Sequence, residues 1–83
     1  VFQTCTFDNC KFINCSFEGS VFYNVYFRNC YFKNCKCKKI YTKFSLIQNN
    51  IIKKCDFHKS THVELYKKNN LIEKCDLDKI NIY

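Results

Sequence analysis

Eight of the nine phenylalanines, Phe2, Phe7, Phe12, Phe17, Phe22, Phe27, Phe32 and Phe57, fall on one register with a step of five residues. Ile47, Ile52, Ile72, Leu77 and Ile82 continue that register. Two residues before these core positions stands a second, mostly small class: Cys5, Cys10, Cys15, Ser20, Val25, Cys30, Cys35, Ile40, Ser45, Cys55, Ser60, Leu65, Cys75 and Ile80. A helix cannot use such a pattern, because five residues at ~100° each turn the apolar side chain by ~140° and spread it around the axis. A continuous strand fails as well, since the inward spacing alternates between two and three residues rather than holding at two. What fits is a three-residue strand with inward ends and an outward middle, followed by a two-residue corner, so that four units close a square.

Closure of that square demands a 20-residue period, and the sequence carries one independently. The segment QNNIIKKCDF at 48–57 nearly repeats as KNNLIEKCDL at 68–77, and DNCKFINCSF at 8–17 and RNCYFKNCKC at 28–37 align at the same offset. The chain has no proline and one glycine, so its turns must come from another residue. Asparagine supplies them at the second corner position of seven units, Asn9, Asn14, Asn24, Asn29, Asn34, Asn49 and Asn69, where its tolerance of left-handed backbone suits a tight turn. About four coils at ~4.8 Å each give a prism ~20 Å tall whose backbone is hydrogen-bonded from coil to coil.

With these residues in place the chain resembles the pentapeptide-repeat family, in a variant rich in Phe and Cys. The resemblance implies an all-β fold, a right-handed parallel quadrilateral β-helix, formed here as a single domain over 1–83. Two stretches break the pattern and are expected to be irregular. In 38–46 the core slot holds Thr42 while Phe44 falls on a corner, which predicts a bulge that turns Phe44 inward. In 58–70 the core slots are His62 and Lys67, polar groups whose burial is costly, and a distorted face, loop or helical excursion is expected there.

Eight cysteines in 83 residues invite a disulfide or zinc reading. Seven of them occupy the small inward slot and Cys37 a core slot, so their spacing is that of the coil. Thiols one coil apart have Cβ atoms ~4.8 Å apart, slightly beyond disulfide geometry, and paired CxxC knuckles are missing. Cysteine therefore reads as a compact filler between phenylalanine layers, with no metal or cofactor expected. Only two histidines, His58 and His62, are present, and no phosphate loop or nucleophile elbow accompanies them. The chain is not expected to be an enzyme.

Function is then expected on the outside. One outward column runs Thr6, Tyr26, Leu46, Tyr66, and the next runs Lys11, Tyr31, Ile51, Leu71. A third holds Val1, Val21, Tyr41 and Thr61, and a fourth Ser16, Lys36, Asp56 and Asp76. A contiguous apolar patch on a small protein marks an interface, and the candidate partner-binding residues are Tyr26, Tyr31, Leu46, Ile51, Tyr66 and Leu71. The reading is a non-catalytic interaction or structural module that binds a protein partner or a second copy through this face or through an open coil edge. The net charge of +7 collects on corner columns such as Lys39, Lys59, Lys79 and Lys54, Lys74; acids lie close by, and nucleic acid is not the expected partner. Two alternatives come from the resemblance. Quinolone-resistance members mimic DNA and bind gyrase, a role that the positive charge opposes. The luminal domain of a synaptic vesicle glycoprotein, a neurotoxin receptor, shares the Phe, Cys and Asn placement. Asn14 opens a glycosylation sequon, Asn14-Cys15-Ser16, which suits a luminal or extracellular site, whereas free thiols suit the cytoplasm. No apolar run approaches the ~18 residues of a membrane span.

Overall fold

The computed structural model describes residues 2–77, and Val1, Asp78, Lys79, Ile80 and Ile82 lie outside the described residues. The chain winds as a parallel β-solenoid of short strands. The first coil holds β1 (Phe2–Gln3), β2 (Thr6–Asp8) and β3 (Lys11–Ile13). The second holds β4 (Val21–Tyr23), β5 (Tyr26–Arg28) and β6 (Tyr31–Lys33), and the third β7 (Tyr41–Lys43), β8 (Leu46–Gln48) and β9 (Ile51–Lys53). The fourth holds β10 (Thr61–Val63), β11 (Tyr66–Lys68) and β12 (Leu71–Glu73). They stack as three four-stranded sheets, β1-β4-β7-β10, β2-β5-β8-β11 and β3-β6-β9-β12. The fourth side is joined by single parallel bridges, Ser16 to Lys36, Lys36 to Asp56 and Asp56 to Asp76, and by corner hydrogen bonds such as Gly19 N–H to Lys38 O and Lys39 N–H to His58 O, each at 3.0 Å. Each pairing is offset by one coil, as in Phe7 against Phe27 and Phe27 against Ile47.

The strands sit one residue later than the sequence reading placed them. In β2 the central Phe7 points inward while Thr6 and Asp8 are exposed. Cys5 and Cys10 lie between strands, just after a corner residue. The cause is the backbone at that corner: every fifth residue from Thr4 to Lys74 has φ between 50 and 74°, Gly19 having the largest value. A left-handed residue reverses the side-chain alternation, so the residue after it faces inward again without belonging to a strand. Asparagine fills seven of these corners at φ 54–58°, and the others are filled by residues that pay more for that conformation. On the fourth side Ser20 N–H donates to Phe17 O at 3.0 Å and Ser60 N–H to Phe57 O at 3.1 Å, closing turns whose third residues, Gly19 and Lys59, have the positive φ of a type II turn.

Both stretches expected to be irregular keep the coil. Residues 38–46 contain β7, paired with β4 below and β10 above, and 58–70 contain β10 and β11 in unbroken register. No loop or helix interrupts them. Phe44 is not turned inward: it is a corner residue at φ 54° and is 42% exposed, because its register position is left-handed and carries the side chain out. Thr42 is buried in its core slot, where its Oγ1 shares a hydrogen bond of 2.5 Å with Nδ1 of His62 one coil above. Lys67 holds a core register but is exposed, its strand being in the last described coil, where nothing among the described residues stacks above it.

The interior changes character along the axis. In the first two coils phenylalanines stack face to face at one coil's distance, Phe2 on Phe22 at 5.2 Å, Phe7 on Phe27 at 5.0 Å and Phe12 on Phe32 at 4.9 Å. Around each coil neighbouring rings meet edge to face, as Phe7 and Phe12 do at 5.7 Å and 75°, so both favourable aromatic geometries are satisfied at once. Cys37 takes the last such slot of the second coil, and in the third coil the slots hold Thr42, Ile47, Ile52 and Phe57. The smaller side chains leave a cavity of about 40 Å³ between the ring layer and His62.

The small inward slot is more than a filler. Cys30 Sγ donates to Phe7 O at 3.3 Å, Cys35 Sγ to Phe12 O at 3.3 Å, Ser60 Oγ to Cys37 O at 2.7 Å, and Asn50 Nδ2 to Phe27 O at 3.1 Å. Each acceptor is a core residue of the coil below. In the opposite sense, Asn50 Oδ1 accepts from Cys30 N–H at 2.8 Å, Asn70 Oδ1 from Asn50 N–H at 3.1 Å, and Ser45 Oγ from Val25 N–H at 3.2 Å. Corner backbone groups that the ladders leave unpaired are thus satisfied by side chains. Asn50, buried to 1% exposure, makes three of these bonds.

Two outcomes are expected. Asn50→Ala leaves Cys30 N–H and Phe27 O without these partners and lowers stability by ~2–3 kcal/mol, whereas Asn49→Ala at the adjacent exposed corner costs ~1 kcal/mol; urea unfolding of both variants checks the difference. Burial, helped by Lys67, lowers the His62 pKa from 6.5 to about 4, and its Nε2 is buried without a hydrogen-bond partner among the described residues. The unfolded chain takes up this proton first, so His62 contributes full stability above pH 6.5 and loses it as pH falls from 6.5 toward 4. The urea midpoint should fall across that window in the parent and stay flatter in His62→Leu.

Candidate functional site

With one side chain per five-residue unit committed to the core and one to the corner bonds, the outward strand positions carry no packing duty. On β2, β5, β8 and β11 the first residues stack as Thr6, Tyr26, Leu46 and Tyr66. On β3, β6, β9 and β12 they stack as Lys11, Tyr31, Ile51 and Leu71. All six candidate partner-binding residues therefore lie in two adjacent ladders. Tyr26 is 38% exposed, Ile51 40%, Leu71 50% and Tyr66 72%, while Tyr31 and Leu46 are half-buried. The Arg28 guanidinium lies 6.0 Å from the Tyr26 ring centre, at the edge between the ladders.

The far border of the Tyr31–Ile51–Leu71 ladder is basic. Lys33 and Lys53 stand directly in register, with Glu73 next above, its carboxylate 4.0 Å from Lys53 Nζ. Lys54 and Lys74 occupy the neighbouring left-handed corners. Together with Tyr31 these side chains line a shallow depression of about 240 Å³.

One surface feature escaped the sequence reading. Tyr23 and Phe44 meet edge to face at 5.9 Å on another corner, and Lys43 Nζ lies 5.7 Å from the first ring and 5.1 Å from the second. The five-residue register alone would have found it, since Phe44 stands in the same column as Asn24. Asn14 is exposed on its corner at φ 56°, and its Oδ1 accepts a hydrogen bond from Asn34 Nδ2 at 2.8 Å.

All eight cysteines are free thiols. Burial pushes Cys55 up to about 12, and raises Cys37, Cys30 and Cys75 as well, which keeps these sulfurs protonated and poor nucleophiles. Among the described residues no three His, Cys, Asp or Glu side chains are grouped to hold a metal ion. Among the described residues no helix is long and apolar enough to cross a membrane. Thiol titration of the native protein should show the half-buried Cys5, Cys10 and Cys15 reacting well before the buried Cys35, Cys37 and Cys55, and all eight reacting after denaturation without reductant.

A family model for pentapeptide repeats, described as nine copies, matches residues 1–40. No curated protein matches the chain. Among solved structures it is similar to trypsin-treated QnrB1, a plasmid-mediated fluoroquinolone resistance protein, with a TM-score of 0.51 and 15% identity. The match covers 95% of this chain and 58% of that one, so the chain spans little more than half of QnrB1's length. The pentapeptide-repeat signature covers residues 1–40, and the same five-residue geometry runs on to Leu77 in a parallel β-solenoid.

Proposed function

We propose that this solenoid is a non-catalytic protein–protein interaction module that receives its partner, another protein or a second copy, on the two ladders Tyr26–Leu46–Tyr66 and Tyr31–Ile51–Leu71. The observation that carries the reading is the exposure of large apolar side chains in two adjacent columns on a fold that asks nothing of those positions internally. Polar residues serve equally well there, as Ser16, Lys36, Asp56 and Asp76 do on the fourth side. A contiguous apolar surface is costly in water unless something covers it.

A DNA-mimicking action on a topoisomerase, the alternative raised by the family resemblance, requires an acidic outer surface. The net charge of +7 and the stacked Lys33 and Lys53 oppose it, and a shared fold at 15% identity with a fluoroquinolone resistance protein supports the scaffold alone.

The test is a Tyr31→Ala, Ile51→Ala double variant. It should keep the parent's far-ultraviolet spectrum and lose at least about tenfold in self-association by sedimentation velocity or in affinity for a captured partner, as truncation of central interface residues does. Unchanged sedimentation and unchanged partner affinity would remove the reading.

A further inference from the structure

The ladder Tyr31–Ile51–Leu71 is a narrow apolar strip between two basic borders. Lys33, Lys53, Lys54 and Lys74 form one border. Arg28 and Lys68, the last residues of β5 and β11, belong to the other. Lys11 ends the strip in the first coil, where Asp8 pairs in register with Arg28. Above that point Glu73, engaged by Lys53 at 4.0 Å, is the acid within these borders. Like charges stacked one coil apart repel, and Lys33 over Lys53 is such a pair. An external carboxylate set between them relieves the repulsion and gains two ion pairs.

Resting on the interaction-module reading above, we propose that this strip binds an acidic amphipathic helix of a partner protein. The helix lies along the solenoid axis, its apolar stripe on Tyr31, Ile51 and Leu71 and its flanking carboxylates on the two basic borders. Spacing supports a helix. Successive ladder side chains are ~4.8 Å apart, and side chains three or four apart on a helix rise by ~4.5–6 Å, so the two rows interdigitate over three coils. Charge selects the partner. A second copy would bring the same basic borders against these, at a net charge of +7 per chain, and so fits the strip poorly. Nucleic acid would satisfy the lysines but leave Ile51 and Leu71, 40% and 50% exposed, without apolar cover. It would also find one aromatic ring in the strip on which to stack a base. The strip is small, which places the complex in the weak and transient class.

The experiment uses synthetic helical peptides that share one leucine stripe and differ only in flanks of Glu, Gln or Lys, with a single-stranded oligothymidylate of matching charge as a further probe. Binding to the whole chain is followed by fluorescence anisotropy at low and high salt. The Glu-flanked peptide should bind about tenfold more tightly than the Gln-flanked one, the sum of several weak rim ion pairs, and high salt should erase that preference. A Lys33→Glu, Lys54→Glu variant should lose the preference, and Ile51→Ala should weaken every peptide. Thermal melts establish that both variants are folded. Equal binding of the Glu and Gln peptides, each weakened by Ile51→Ala, overturns the acidic-helix assignment and keeps the interaction face. Tighter binding of oligothymidylate than of any peptide overturns it in favour of nucleic acid. Failure of every probe, or indifference to Ile51→Ala, overturns both.

Discussion

The left-handed residue at every fifth position is the constraint on which the other features depend. It turns the chain through a corner, returns the next side chain to the interior, and leaves a three-residue strand before the next corner. Four such corners bring the chain back above itself, where Asn29 N–H meets Gln48 O at 3.0 Å and Ile51 N–H meets Cys30 O at 2.9 Å. Left-handed backbone is costly for most side chains and cheaper for asparagine. The sequence spends asparagine on seven corners, most of them in the first two coils. Lys39, Phe44, Lys54, Lys59, Glu64 and Lys74 adopt the same conformation without that advantage. Lys39, Phe44 and Lys54 are held by their N–H groups, which donate to His58 O, Val63 O and Glu73 O of the coil above, so the corner is cooperative with its neighbour.

This explains which parts of the fold were legible. The phenylalanine register and the Asn columns read directly as a square coil because in residues 1–34 the first is unbroken and the second is broken only at Thr4 and Gly19. The later half was misread where residue identity, rather than register, was given the greater weight. Thr42, His62 and Lys67 look wrong for a core, yet Thr42 Oγ1 and His62 Nδ1 share one hydrogen bond while His62 Nε2 is left buried without a partner among the described residues, and Lys67 escapes by being at the last described coil. Phe44 looks right for a core and is outside, because its position is a corner. Asn50 and Asn70 were absent from the small inward class because Asn was assigned to corners. Their burial and their bonds to Phe27 O and Ile47 O show that an amide does there what a thiol does elsewhere in the column.

The abundance of cysteine follows from the same site. The slot after the corner needs a short side chain with a donor that can reach a carbonyl one coil below. Cys, Ser and Asn all meet that need, the thiol being the weakest donor of the three. A thiol is a weak donor but costs little when its bond is long, as the distances of 3.3–3.5 Å at Cys30, Cys35 and Cys55 show. Beside stacked phenylalanine rings, its polarisable sulfur is also the best tolerated of the three. Where the core thins to isoleucine and threonine, asparagine appears in the slot at Asn50 and again at Asn70, so stronger side-chain bonds accompany weaker ring packing.

The candidate site was legible for a different reason. Outward strand positions are set by register alone, so the stacking of Tyr31, Ile51 and Leu71 could be read without knowing the corners in detail. The borders could not, because whether a lysine joins the strip depends on which way its corner turns. Once the left-handed residues are placed, Lys54 and Lys74 follow Lys53 and Glu73 around the same edge. The scaffold thereby separates its two requirements: the inward and corner residues determine that the coil forms, and the outward residues can change without disturbing it. A surface that is apolar on one strip and basic on both sides of it is accounted for by neither the aromatic stack nor the corner bonds.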